Sequence, residues 1–285
     1  DEVVRGENFI KLANHILSYY DYRIPDPNVI KDGDIVYCDT RRLIDYKDYL
    51  IKRKNLIIIT HNCIGGVLDE DGKPNHIDGE IHCVNSNLFD GCFKYWFAKN
   101  CYSKKENIIP IPIGMQNKRW DRMPGDDFRE VFYITGCSLG KNIKPTKLAY
   151  LNIKISTTKD KRKLCWDECT NMSFVTSNKR ENQNLPYNQF VEQMLDHKFI
   201  ISPDGNGIDC HRHWESFHCN RIPVIKDKYP LYRLYKDFPV LWVDEWTDLI
   251  DLDLDKIYNE MKDNLNTKLL TQSYWNDLIM EKVNE

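Results

Sequence analysis

The chain has 285 residues, of which 41% are hydrophobic and 29% charged, with a formal net charge of −3. That length suits one large or two modest domains, and the near-balanced charge excludes a broad nucleic-acid footprint. No stretch approaches the roughly 20 apolar residues of a membrane span, and nothing at the start has the order of a secretory signal. The first residue is not Met, so the sequence reads as trimmed, and an anchor could have preceded it.

Taken in chain order, the first half reads as α/β. Residues 9–20 carry helical spacing through Phe9, Leu12, Ala13, Ile16 and Leu17. Residues 33–38 read as a strand after a turn, 41–54 as a charged amphipathic helix, and 55–60 as a buried strand ending in His61-Asn62-Cys63. Strand, helix and strand in that order imply a parallel crossover. Residues 65–80, rich in Gly and Asp, read as a loop, and 84–99 as a strand followed by a helix. Residues 108–113 form a strand with two prolines that runs into Gly114-Met115.

A second α/β half opens near residue 144. Residues 147–153 read as a strand, 157–169 as a turn and a basic helix containing Arg162, and 173–176 as another strand. A loop covers 177–184, a helix runs from Pro186 to Asp196, and 240–243 is a strand. The segments 249–260 and 265–283 are helical tails. There is no internal repeat and no long linker.

The most informative stretch is 199–225, which reads as strand, glycine turn, helix and strand. Phe199-Ile200-Ile201 is a short buried run, and Ser202 to Gly207 is a cluster of breakers. A helix then opens near Ile208 or Asp209, with Asp209 or Asn206 able to cap it. A helix start after a glycine turn presents unpaired N–H groups and a positive dipole end, which suits a phosphate. His211, Arg212 and Glu215 fall in its first two turns, and Arg212 and Glu215 share a face. An arginine there can hold a diphosphate by a bidentate fork, and a glutamate one turn on can accept ribose hydroxyls. The pattern describes a nucleotide-sugar site.

Ser-Pro-Asp-Gly-Asn-Gly-Ile-Asp-Cys-His-Arg-His-Trp-Glu-Ser, followed by Arg-Ile-Pro-Val-Ile, resembles the donor-site signature of exostosin-like glycosyltransferases. The pattern is most similar to small glycosyltransferases of large algal viruses and to xylosyltransferases of O-mannose glycans. It is strong over about residues 145–245 and thin before them, where Ile-Thr-His-Asn and Pro-Ile-Pro-Ile-Gly carry it. One departure is the bulky Asn220-Arg221, where the family has a small residue before Ile-Pro-Val. The resemblance implies a GT-B fold of two Rossmann-like α/β/α domains facing across a cleft. Residues 1–143 would be the acceptor-binding domain and 144–265 the nucleotide-sugar donor domain. The C-terminal helix, 266–285, would cross back onto the first. It also implies inverting transfer of a sugar from a UDP-sugar, UDP-xylose first, to a hydroxyl of an oligosaccharide or glycoprotein acceptor. Arg162, Ser202, Asn206, Gly207, Asp209, His211, Arg212 and Glu215 would form the donor site.

Inverting transfer needs a general base, expected from the first half. Candidates are Asp39 and His61, each at a strand's carboxyl end, and Asp69, Asp71 and Asp78 in the loop that follows. Related families often carry an Asp just after the Thr-His-Asn segment, but here Cys63 and Ile64 stand there. Asp78 is therefore favoured, with His61 second. Arg162 and Arg212 would balance the leaving diphosphate, so no metal or other cofactor is required. The alternating Asp251, Asp253 and Asp255 are expected to cap or line a surface element rather than bind metal. The ten cysteines show no Cys-x-x-Cys and no zinc spacing, so they read as reduced buried thiols in a soluble, cytoplasmic protein. Two other classes compete. A dinucleotide-dependent oxidoreductase would need a third glycine where Cys210 stands. A non-catalytic glycan- or nucleotide-binding protein would have no use for an intact His211, Arg212 and Glu215.

Overall fold

Two five-stranded, all-parallel sheets organise the chain in this computed structural model, which describes residues 2–18, 26–62, 65–70, 83–117, 126–177, 185–226 and 228–285. The first sheet contains β1 (His15–Ser18), β2 (Ile35–Asp39) and β3 (Leu56–His61). A two-stranded ribbon of β4 (Val67–Leu68) and β5 (Val84–Asn85) follows, and β6 (Phe93–Ala98) and β7 (Ile108–Pro110) complete the sheet in the order β1-β2-β3-β6-β7. The second sheet holds β8 (Lys147–Leu151), β9 (Val175–Ser177), β10 (His197–Ile201), β11 (Ile222–Lys226) and β12 (Leu241–Val243). Its order, β9-β8-β10-β11-β12, reverses direction at β8, so β8 and β10 flank a topological switch point.

Parallel strands covered on both faces are apolar throughout, and period-two alternation divides their side chains between two cores. Val36, Cys38, Ile58 and Trp96 face an outer cluster of the first sheet. Ala149, Leu151, Phe199, Ile201 and Val224 face an outer cluster of the second. Their neighbours Tyr37, Ile57, Ile59, Tyr150, Ile200 and Ile225 belong to one shared cluster that joins the two sheets.

The helices are α1 (Gly6–Phe9), α2 (Lys47–Leu50), α3 (Asp126–Asn142), α4 (Lys159–Cys169) and α5 (Tyr187–Asp196), then α6 (His211–His218), α7 (Tyr232–Tyr235), α8 (Leu254–Met261) and α9 (Gln272–Asn284). α4 and α8 contribute to the outer core of the second sheet, and α5, α6 and α7 to the shared core. The last helix reaches the first half of the chain. Gln272 N–H donates to Glu2 O (2.8 Å), Arg5 N–H donates to Gln272 Oε1 (3.1 Å), and Tyr95 OH donates to Glu285 (2.6 Å).

The structure corrects several sequence expectations. The helix expected over 9–20 does not form over the described residues up to 18: α1 ends at Phe9 and passes into a 3₁₀ turn, and His15–Ser18 pairs with β2 as an edge strand. The ladder and the burial of Leu17 override the helical spacing. Residues 41–46 form a 3₁₀ turn, and only Lys47–Leu50 of the expected helix is α-helical. The helix expected in the second part of 84–99 is strand β6, held between β3 and β7. α3 had no sequence counterpart. The nine described cysteines are all free thiols, most of them buried. No helix among the described residues is long and apolar enough to cross a membrane.

Arg221, of the bulky Asn220-Arg221 pair before Ile222-Pro223, is a structural clamp. It is 1% exposed and donates to the carbonyls of Gly140, Ile143, Leu195 and Asn220. Those groups lie at the carboxyl ends of α3 and α5 and in the turn before β11, where helix carbonyls lack backbone partners. Arg221→Ala should lower the unfolding free energy by about 3 kcal/mol or more, since several buried carbonyls lose their donor at once. Urea unfolding checks this: the midpoint should fall while the slope is unchanged.

Candidate active site

The carboxyl ends of both sheets open onto one cavity of about 560 Å³. From the first sheet come Arg41 after β2, His61 and Asn62 at the end of β3, Lys99 and Asn100 after β6, and Ile113, Gln116 and Asn117 after β7. From the second come Thr157 and Arg162 after β8, and residues of the 205–215 segment after β10, among them Asn206, Asp209, His211, Arg212 and Glu215, the two sides of the switch point.

The glycine turn sits against the first sheet. A Cβ on Gly207 would come within 2.3 Å of Asn100 Nδ2, and one on Gly205 would face Arg162 Nη2 at 3.5 Å. Asn100, in left-handed backbone (φ 51°), accepts from Asp209 N–H at 3.2 Å. α6 opens at His211 with Cys210 as its N-cap, two or three residues later than expected, so neither Asp209 nor Asn206 caps it. Asp209 instead accepts from Ile113 N–H (2.6 Å), Trp214 Nε1–H (3.0 Å) and Tyr235 OH. Burial pushes its carboxyl up, but His213, Tyr235 and Ile113 outweigh that and hold it below the ordinary carboxylate range. Burial pulls His213 down, yet the charges and hydrogen bonds of Cys210 and Asp209 push it up to about 10. His213 and Asp209 therefore form a buried ion pair (3.6 Å).

Two guanidiniums line the cavity across the switch point. Arg212 Nε donates to Glu215 Oε2 (3.1 Å) and Nη1 to Asn152 O (2.6 Å), and the fork lies over the Phe190 ring at 4.3 Å. Arg162 Nε donates to Asp204 O (2.8 Å) and Nη1 to Lys154 O (3.1 Å). Burial lowers the Arg162 pKa most; Cys210 pulls it back up and the nearby Arg212 charge lowers it again, with a net downward shift. Both carboxylates on the wall are engaged, Asp209 as above and Glu215 by Arg212 and Tyr187 OH (3.3 Å). With Lys99 on the opposite wall, and Arg41 already paired to Asp39 at 2.9 Å, the cavity is cationic.

Of the expected site residues, His61, Arg162, Asn206, Gly207, Asp209, His211, Arg212 and Glu215 line this cavity. Ser202 does not: it is fully buried and its Oγ donates to Ile200 O. Asp78 and Asp71 lie outside the described residues. Asp39 caps the following 3₁₀ turn and pairs with Arg41. Asp69 accepts from Ser103, Lys104 N–H and Ser86, which outweigh burial and keep it below its ordinary value. His61 Nε2–H donates to Pro112 O (2.8 Å), and its Nδ1 accepts from Asn62 N–H (2.7 Å). Burial and Lys99 hold its pKa down at about 3. Asp253 caps α8 and Asp255 pairs with Lys198. Among the described residues no group of three or more His, Cys, Asp or Glu is arranged to hold a metal ion. Sequence reasoning missed Lys99, Asn100 and Asn152; the first two follow a strand read as a helix.

No family model matches the chain, and a search of curated proteins finds no match.

Several histidines are buried and neutral. Burial pulls His61 to about 3 and His218 to about 4, and shifts His197 and His211 in the same direction. In the unfolded chain each protonates near its ordinary pKa of about 6.5. The unfolded state thus binds more protons below that pH, so this stability is complete above pH ~6.5 and is lost as pH falls toward 4. His213, raised to about 10 in the folded state, acts in the opposite sense and loses stability as pH rises above ~6.5. Thermal melts should therefore peak near pH ~6.5 and fall steeply by pH ~4.5, and His218→Leu should flatten the acid fall. A wild-type profile level to pH ~4.5 would contradict the assignment.

Proposed function

We propose that the protein is an inverting, metal-independent, nucleotide-sugar-dependent glycosyltransferase of the two-domain GT-B type. The observation that carries this reading is the pair Arg162 and Arg212, brought from two sides of a topological switch point to one cationic cavity at the start of α6. Ligands of open parallel sheets bind at such a crevice, and a helix start adds positive potential. Two like charges held close by backbone carbonyls favour a ligand with more than one negative charge, as a nucleoside diphosphate has. Glu215, fixed by Arg212 and Tyr187, is suited to accept ribose hydroxyls. A cavity of about 560 Å³ lies within the usual 300–1,000 Å³ range of small-molecule sites.

In this reading, residues 144–265 bind a UDP-sugar, with UDP-xylose first by family resemblance. Residues 1–143 bind an oligosaccharide or glycoprotein hydroxyl, and 266–285 pack back on the first domain. As the glycosidic bond breaks, charge develops on the leaving diphosphate, and Arg162, Arg212 and the α6 N–H groups stabilise it without moving. The general base is a separate matter, since Asp78 lies outside the described residues and the His61 lone pair is engaged.

UDP binding by calorimetry tests the proposal. Wild-type protein should bind UDP at micromolar affinity, equally with and without EDTA. Arg212→Ala should weaken it about 10–100-fold, the worth of roughly 1.5–3 kcal/mol for a charged hydrogen bond. Absence of binding to both UDP and GDP would remove the nucleotide-sugar reading.

A further inference from the structure

We propose that His211 is the general base of the transfer, accepting the proton of the acceptor hydroxyl at Nε2. The inference rests on the transferase reading. His211 Nδ1 lies 2.8 Å from Gly114 O; a carbonyl can only accept, so Nδ1 carries the proton and Nε2 the lone pair. That carbonyl is itself fixed. Gly114 has left-handed backbone (φ 66°), a Cβ there would come within 2.2 Å of Val4 O, and Met115 N–H donates to Val4 O at 2.7 Å. A backbone group of the first half thus sets the tautomer of an imidazole on the second, at the wall where the two meet. The orienter, imidazole and open nitrogen reproduce the arrangement of a nucleophile-activating base.

The alternatives on the same wall are occupied. Of the imidazoles and carboxylates that line the cavity among the described residues, His61 has its lone pair on Asn62 N–H. Asp209 accepts at both oxygens, and so does Glu215. The charged groups acting on His211 are Glu215 on its own helix, Asp209 in the glycine turn and Lys99 after β6. Burial and Lys99 outweigh the two carboxylates, so the ring is neutral at pH 7 and able to take a proton. His211 and Arg212 both line the cavity, so the base and the diphosphate clamp share one site. In the step, Nε2 takes the hydroxyl proton and the oxygen forms a bond to C1 of the sugar. The C1–O bond to phosphate breaks, and its electron pair leaves on UDP. The imidazolium then returns its proton to water.

The test compares His211→Gln with Asp78→Asn. UDP affinity is read by calorimetry, and UDP release from UDP-xylose and other UDP-sugars is read against a panel of aryl glycoside acceptors, from pH 5 to 8. His211→Gln should keep UDP affinity within about 3-fold, lose about 10²–10⁴-fold in kcat, and lose the acid limb of the wild-type pH profile. Wild-type kcat in His211→Gln, or a loss of UDP affinity that accounts for the whole defect, overturns the proposal. So does a kcat defect found in Asp78→Asn alone. These outcomes leave the transferase reading standing, whereas a wild-type protein that neither binds UDP nor releases it ends both. If His211→Gln does not fold, long-range ¹H–¹⁵N spectra of the wild type decide: an Nδ1–H tautomer supports the assignment, and an Nε2–H tautomer overturns it.

Discussion

The carboxylate of Asp209 is the contact on which the cavity depends. Removing a carboxylate from water costs several kcal/mol unless its oxygens are satisfied. Here the satisfying groups come from three places: Ile113 beyond β7, His213 and Trp214 on α6, and Tyr235 on α7. Its own N–H is bound by Asn100 beyond β6. One residue therefore fixes the glycine turn, the start of α6 and the exits of two first-sheet strands relative to one another. The imidazolium of His213, which also contacts Ser202 O at 3.2 Å, neutralises the charge locally. The cavity's cations are thus not cancelled by the acid that builds it.

The same logic shapes the two arginines. Each is held by backbone carbonyls, Arg212 by Asn152 O and Arg162 by Asp204 O and Lys154 O, and these supply hydrogen bonds without a full negative charge. Glu215 offsets part of the Arg212 charge, and Phe190 covers its face. Guanidiniums positioned in advance lose little side-chain entropy when an anion arrives, and a multiply charged anion relieves their mutual repulsion.

Legibility in the sequence followed the source of each element's order. Strands β2, β3, β8, β10 and β11 are apolar because they are buried on both faces, so they were readable without a partner in view. The site on the second half was readable for a related reason: glycine turn, basic pair and acid are contiguous. Elements ordered by distant contacts were not. β1 carries helical spacing but is a strand because β2 pairs with it, and β6 is a strand because β3 and β7 flank it. Reading β6 as a helix also hid Lys99 and Asn100, which the strand-end rule would otherwise have marked. Asp209 looked like a helix cap because its type and position fit one. Its actual partners at Ile113 and Tyr235 are remote in the chain and leave no local trace.

Arg221 shows how a bulky residue before Ile222-Pro223 can be buried without intruding on the cavity. Its neighbour Cys219 O would lie 1.9 Å from a Cβ on Gly140, and His218 O would lie 2.8 Å from a Cβ on Gly136. The two glycines are four apart on α3, so they share one face and let that helix approach the end of α6 closely. That approach brings Gly140 O and Ile143 O within reach of the Arg221 guanidinium, which also takes Leu195 O from the end of α5. The large side chain is thus absorbed between the carboxyl ends of α3 and α5, while the cavity is lined from the opposite, amino end of α6. A small residue before Ile222-Pro223 would leave those carbonyls without a donor. The glycines of α3 and the arginine before β11 make sense only together, and they hold the α6 scaffold from the end that carries no chemistry.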